Sequence, residues 1–208
     1  MKKYNEIIKH YESCLEKHGD SHLGVDWPNE DDVSKRYKIM LEIIALKKEI
    51  GKVSLLDFGC GTAHLLDYIL KNDFDSIEYS GFDISEKFIS VCEDKFRNTK
   101  FYCGDILNPK FELPNFDYFI MNGVFTEKRG LTFEEMWDYF SEILKKVFSI
   151  ANKGVAFNVM SKQVDWERDD LFHVPLDKLA DFLCKNLSRN YVIRNDYGLY
   201  EYALYLYK

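Results

Sequence analysis

Five short apolar runs between residues 52 and 160 each carry an acid, a glycine or an asparagine at or near their end. They are "KVSLLDF", leading into Gly59, "IEYSGFD", "TKFYCGD", "FDYFIMN" before Gly123, and "KGVAFNVM" with Asn158. Amphipathic segments intervene. "TAHLLDYILKN" and "SEKFISVCEDKF" have helical spacing, with Ser85 placed to cap the second. Thr132 and Glu135 form a capping box for a helix through Ile150. Strands alternating with helices predict a parallel sheet covered on both faces. Pro175 opens a further helix, and "YVIRND" and "LYEYALYLYK" follow as strands across a short link. Such a link makes a hairpin, so one strand near the C-terminus runs antiparallel. The expected fold class is α/β: three αβα layers and a mostly parallel seven-stranded sheet.

Upstream, Tyr4, Ile7, Ile8, Tyr11 and Leu15 recur at helical spacing. After a loop with Gly19, Gly24 and Pro28, Asn29 caps a second helix bearing Val33, Tyr37, Met40, Leu41 and Ile44. All 208 residues are expected to form one domain, with residues 1–50 as a helical cover or lid and 51–208 as the core.

Charge and cysteine usage narrow the function. The net charge is −7 and no Lys/Arg run exceeds two residues, so neither nucleic acid nor an anionic membrane is an expected partner. Five scattered cysteines without a C-x-x-C pair read as reduced thiols in a cytoplasmic protein, without a structural zinc. No leader or spanning run is expected.

In a doubly wound sheet, ligands sit outside the carboxyl ends of the strands. "LLDFGCGTAHLL" places Asp57 at such an end, followed by Gly59 and Gly61. The dinucleotide fingerprint needs a third glycine where His64 stands, and no G-K-[ST] follows. An acid two residues before Gly59 repels pyrophosphate but suits a cationic amine or sulfonium.

"LLDFGCGTAHLL", then "YSGFDIS" with Asp83, then "FYCGDIL" with Asp105, resemble the class I S-adenosylmethionine-dependent methyltransferases, over roughly residues 30 to 208. The terminal "LYEYALYLYK" resembles their closing antiparallel strand. The resemblance implies a Rossmann-like methyltransferase fold, S-adenosylmethionine as cofactor and S-adenosylhomocysteine as product. Carried over residue by residue, Gly59 and Gly61 allow close approach of the cofactor's aminoacyl part. Asp83 takes the ribose hydroxyls. It follows Asp57 by 26 residues, about one crossover. Asp105 with Ile106 takes the adenine, and Ile84 flanks its face. Asp57 and Asn122 join the cofactor set, as does Arg36, which in related enzymes is a basic residue on the cofactor carboxylate; the alternative for Arg36 is a solvated surface residue beside Lys35.

The acceptor is less legible. "MNGVFTEK" lacks the Asn-Pro-Pro-Tyr of enzymes that methylate amide or base nitrogens. Asp117 lies at the wrong end of its strand for a metal-dependent O-methyltransferase, so no metal is expected. Gly123 leaves room for an acceptor and Phe125 walls it. Trp27, with His22, sits in a loop that closes over the site or merely connects. His173 is the candidate general base, against a structural histidine. The reading is a methyltransferase on a small polar metabolite of a bacterial surface-polysaccharide or natural-product pathway, monomeric or homodimeric. The rivals are a sensor or partner subunit that binds the same cofactor without turnover, and a nicotinamide enzyme, which the glycine spacing disfavours.

Overall fold

The computed structural model describes residues 4–47 and 49–208. Two helices lead the described chain, α1 (Asn5–His18) and α2 (Glu30–Ala45). The alternating part follows as β1 (Val53–Phe58), α3 (His64–Lys71), β2 (Ile77–Asp83), α4 (Glu86–Lys95), β3 (Lys100–Cys103) and β4 (Phe116–Phe125). The chain continues through α5 (Phe133–Ile150), β5 (Ala151–Ser161), β6 (His173–Val174), α6 (Leu176–Asn186), β7 (Tyr191–Arg194) and β8 (Glu201–Tyr207).

Seven strands run in the order β3-β2-β1-β4-β5-β8-β7. Only β8 is antiparallel, to β5 and to β7, as the hairpin reading required. The expected seven strands gain an eighth: β6 pairs parallel with β5 at Met160 and Ser161. Two residues between a polar loop and a proline carry no periodicity, which is why the sequence hid it.

Period-two alternation divides the core. On β4, Phe119 and Met121 pack with α5 and α6, while Tyr118 and Ile120 pack with α2 and α3. Leu56 and Leu55 of β1 divide the same way. The α5 face is rich in rings: Phe140 meets Phe125, Phe157, Phe172 and Phe182 at centroid distances of 4.8 to 6.0 Å.

Local signals set the helix ends. Both bonds of the Thr132–Glu135 capping box form, at 3.2 and 3.0 Å. The Asn29 side chain accepts from the Asp31 amide. Ser85 stands at the N-cap of α4 without a side-chain cap bond. Its hydroxyl donates to Glu12 of α1 instead, at 2.7 Å. That bond, Tyr4 to Asp105, and Tyr11 to the Gly123 carbonyl strap α1 across the carboxyl edge of the sheet.

Removing the Phe140 ring should cost about 3–5 kcal/mol, the scale for a large side chain cut from a packed core. Losing the Thr132 cap should cost about 1 kcal/mol. Urea unfolding of Phe140→Ala and Thr132→Ala checks the order. A Phe140→Ala loss no larger than the cap loss would show that the ring cluster is not packed as described.

Candidate active site

The β1–α3 loop is bent by residues in left-handed conformations, Gly59 at φ +75° and Gly61 at φ +53°. The amides of Gly59 and Cys60 both donate to the Phe82 carbonyl, at 2.7 and 2.9 Å, which folds the loop back onto β2. A Cβ at Gly59 would stand 2.7 Å from Val124 Cγ2, and one at Gly61 would stand 2.9 Å from Val25 Cγ1. Only glycine supplies both the backbone angle and the space. A cavity opens here, lined by the glycine loop, the ends of β2 and β4, α1 and the loop before α2.

Two buried carboxylates face this cavity. Asp83 Oδ2 accepts from the Gly61 amide at 3.1 Å, and its Oδ1 from the Ser85 amide at 2.9 Å. Burial nevertheless raises its pKa to about 6, because those bonds only partly offset lost hydration. Asp57 Oδ2 accepts from the Tyr79 hydroxyl at 2.8 Å. Burial, with a further push from Asp83, raises Asp57 to about 7. Two acids held this way await a cation.

Across the cavity, Asn122 presents Oδ1, buried and without a hydrogen-bond partner among the described residues. An orphaned buried acceptor is costly unless a ligand satisfies it. Next to it, Gly123 at φ +79° lies against Trp27, whose Cζ2 would be 2.7 Å from an added Cβ. A closed ring of contacts fixes this wall. The Gly123 amide donates to Asn158 Oδ1 at 2.7 Å. Asn158 Nδ2 donates to Glu201 Oε1 at 3.0 Å. Arg36 Nε lies 3.1 Å from both Glu201 oxygens, and its guanidinium stacks 4.1 Å over the Trp27 ring.

A family profile described as a methyltransferase domain matches residues 51–186. The chain belongs to that family. It is a class I S-adenosylmethionine-dependent methyltransferase. Rv1506c of Mycobacterium tuberculosis, a protein whose name assigns it to the methyltransferases, is 26% identical over 156 residues, or 73% of this chain and 90% of that protein. Two solved structures show the same fold. Magnesium protoporphyrin IX methyltransferase from Synechocystis, crystallised with S-adenosylmethionine, superposes with a TM-score of 0.68 at 14% identity, covering 100% of this chain and 98% of its own. The plantazolicin methyltransferase BpumL, with S-adenosylhomocysteine, gives 0.65 at 16%, covering 98% of each. The residues around the cavity suit this cofactor: two buried acids for a cationic ligand, one orphaned acceptor, and a loop that only glycines can shape.

Of the residues singled out in the sequence, Asp57, Gly59, Gly61, Asp83, Ile84 and Asn122 line the methyltransferase cavity, as do Trp27 and Gly123. Five others do not. Arg36 is bound to Glu201 and stacked on Trp27, so the expected carboxylate clamp has its Nε engaged inside the protein. Asp105 accepts the Tyr4 hydroxyl at 2.7 Å and the Leu107 amide at 2.9 Å, so the adenine role expected of it meets two internal donors. Ile106 packs in the core. Phe125 shares the parity of Phe119 and Met121, and lies buried against Phe140 and Phe157 rather than walling the cavity. His173, expected as the base, lies outside the cavity lining with both ring nitrogens engaged. On β6 its Nδ1 donates to the Ser161 carbonyl at 2.7 Å, and its Nε2 accepts from the Arg168 amide at 3.3 Å.

Sequence reasoning missed Tyr11 and His64, which both line the cavity. The Ile7–Ile8–Tyr11 stripe was the available signal for α1: a cover helix must turn its apolar face toward what it covers. His64 fills the third-glycine position, with Nε2 2.7 Å from Asp20 and 3.0 Å from Thr62 Oγ1.

The raised acids set a pH dependence. A carboxyl whose pKa is raised on folding stabilises the folded state while protonated. That contribution is full below the unfolded value of 3.8 and is lost as pH climbs through about 6 for Asp83 and about 7 for Asp57. A bound cation pulls both acids to the charged form. S-adenosylmethionine affinity should therefore rise from about pH 5.5 to about pH 7.5, by up to about tenfold per pH unit for each proton released. S-adenosylhomocysteine, without the sulfonium, should show a weaker rise. Calorimetry across this range decides it, and a flat profile for both ligands would mean that the acids do not face the cofactor.

Proposed function

We propose that this methyltransferase acts on a small molecule whose reacting atom enters beside Gly123, Trp27 and Tyr11, and that it works by positioning rather than with a protein base. The observation that carries this reading is the orphaned Asn122 Oδ1 beside the Gly123–Trp27 wall, at the end of β4. Residues 1–50 act as the cover and 51–208 as the cofactor-binding core of one domain.

In this reading Gly59 and Gly61 let the backbone approach the cofactor, and Asp83 takes the ribose hydroxyls. Asn122 Oδ1 accepts from the ammonium, and Asp57 adds negative charge behind the loop. When bound, S-adenosylmethionine supplies a methyl group made electrophilic by its sulfonium. The chain has to align the acceptor and keep water out. Orientation alone is worth about 7–11 kcal/mol in favourable cases.

The acceptor side is aromatic and apolar, with Trp27, Tyr11, Ile8 and Val124. That supports an acceptor with an apolar or aromatic body around a polar nucleophile, a refinement of the small polar metabolite expected from sequence. The Tyr11 hydroxyl is held far above its ordinary pKa by burial and by Glu127, so it stays neutral and orients by hydrogen bonding. The acceptor then brings its own nucleophile, such as an amine, a thiolate or a carboxylate. The porphyrin and plantazolicin acceptors named for the two structural neighbours support a natural-product setting.

The test is release of S-adenosylhomocysteine against a panel of apolar amines, thiols, carboxylic acids and small peptides. On any hit, His173→Ala should leave turnover within about threefold, far from the 10²–10⁴-fold loss that follows removal of a general base. Tyr11→Phe should cost about 2–10-fold, the worth of one hydrogen bond. A hundredfold loss in a folded His173→Ala variant would restore the base. Tight cofactor binding with no turnover on any acceptor would favour the sensor.

A further inference from the structure

We infer that His10, Cys14 and Asp26 form a binding site for a zinc-like divalent cation that pins α1 to the loop before α2. Among the described residues this is the one group of histidine, cysteine and acidic side chains with its donor atoms within metal-ligand reach. The inference stands apart from the acceptor reading, and it departs from the expectation that the chain holds no metal.

His10 and Cys14 are four residues apart on α1, so they share one face of the helix. Asp26 comes from the following loop and adopts a left-handed backbone conformation, φ +59°, unusual for a residue with a side chain. This turns its carboxylate onto the helix. Asp26 Oδ2 lies 2.7 Å from His10 Nε2, and Cys14 Sγ lies 3.8 Å from that same nitrogen. All three donor atoms fall within 4.8 Å of one another. Bonds of about 2.0–2.3 Å in tetrahedral geometry place ligand atoms roughly 3.3–3.6 Å apart. The His10–Asp26 pair must therefore open by about half an ångström, and the thiol close by a few tenths toward His10.

The donor set selects the ion. One imidazole, one thiolate and one carboxylate suit zinc and its neighbours, while calcium and magnesium want oxygen alone. On binding, the sulfur–metal bond forms as the S–H proton leaves to solvent. Access is open: the His10 and Asp26 side chains are 20% and 35% exposed, which also leaves water a fourth position. The competing account is a plain His10–Asp26 ion pair with Cys14 as a bystander. The consequence of the site lies next door. Tyr11 follows His10 and Trp27 follows Asp26, and both line the cavity. A cation here would lock two of its walls together from outside.

Cobalt(II) is the probe, titrated into the reduced full chain at neutral pH. The expected result is one equivalent with a near-ultraviolet thiolate-to-cobalt band, lost when zinc is added. Cys14→Ser should abolish the band, His10→Ala should weaken binding by at least tenfold, and Cys184→Ser should change neither. Zinc should also raise the melting temperature of the wild type and not of Cys14→Ser. No thiolate band in the wild-type protein, or a band that survives Cys14→Ser, would overturn the site. The first of these needs no variant, so a folding defect in a mutant does not shelter the inference.

Discussion

The bond from the Gly61 amide to the Asp83 carboxylate, 3.1 Å long, joins the glycine loop to the end of β2 and organises everything around it. A carboxylate there is cut off from water. It keeps its place because the backbone turns two amides toward it, one from a left-handed glycine and one from the start of α4. The protein accepts a second buried acid, Asp57, whose pKa is raised by burial and further by the nearby Asp83. Two such groups weaken the empty protein at neutral pH. They also pre-form a negative cavity, so a sulfonium or ammonium gains on entry what hydration no longer supplies.

The acceptor side depends on a different device, a ring of contacts through Gly123, Asn158, Glu201, Arg36 and Trp27. Glu201 is 1% exposed and Arg36 is its only counter-charge among its described hydrogen-bond and ion-pair partners. Pairs of this kind add little net stability, yet removing one partner alone is strongly destabilising. Their effect here is geometric. The same arginine that balances Glu201 supports the ring of Trp27, and the same asparagine that binds Glu201 holds the Gly123 peptide where the β4–β5 register shifts between Met121 and Phe125. Helix α1 then spans the ends of β2, β3 and β4 through Glu12, Tyr4 and Tyr11, closing the cavity from above.

What the sequence made legible was local. Short apolar runs marked β1, β2, β4 and β5, and capping residues placed the helix starts at Asn29 and Thr132. The glycine loop and Asp83 could be located because strand ends are where such a sheet keeps its ligands. Two of the expected roles meet pairings far apart in the chain. Arg36 meets Glu201 across 165 residues, and Tyr4 meets Asp105 across 101. Nothing around Arg36 or Asp105 signals a partner that distant. The two-residue strand that holds His173 has no sequence pattern, and the Ser161 carbonyl and Arg168 amide occupy its ring nitrogens. Phe125 was misplaced for a simpler reason: the parity already set by Phe119 and Met121 sends it to the α5 face.

The central claim is that the Gly59–Gly61 loop and Asp83 hold S-adenosylmethionine or its demethylated product. Calorimetry with S-adenosylhomocysteine and NAD, on the wild type and on Asp83→Asn, tests it most directly. The account predicts one equivalent of S-adenosylhomocysteine and no NAD. It predicts a loss of about 1–3 kcal/mol in the variant, the worth of a charge-assisted hydrogen bond. Unchanged affinity in a folded Asp83→Asn protein, or tight binding of NAD in place of S-adenosylhomocysteine, would contradict it.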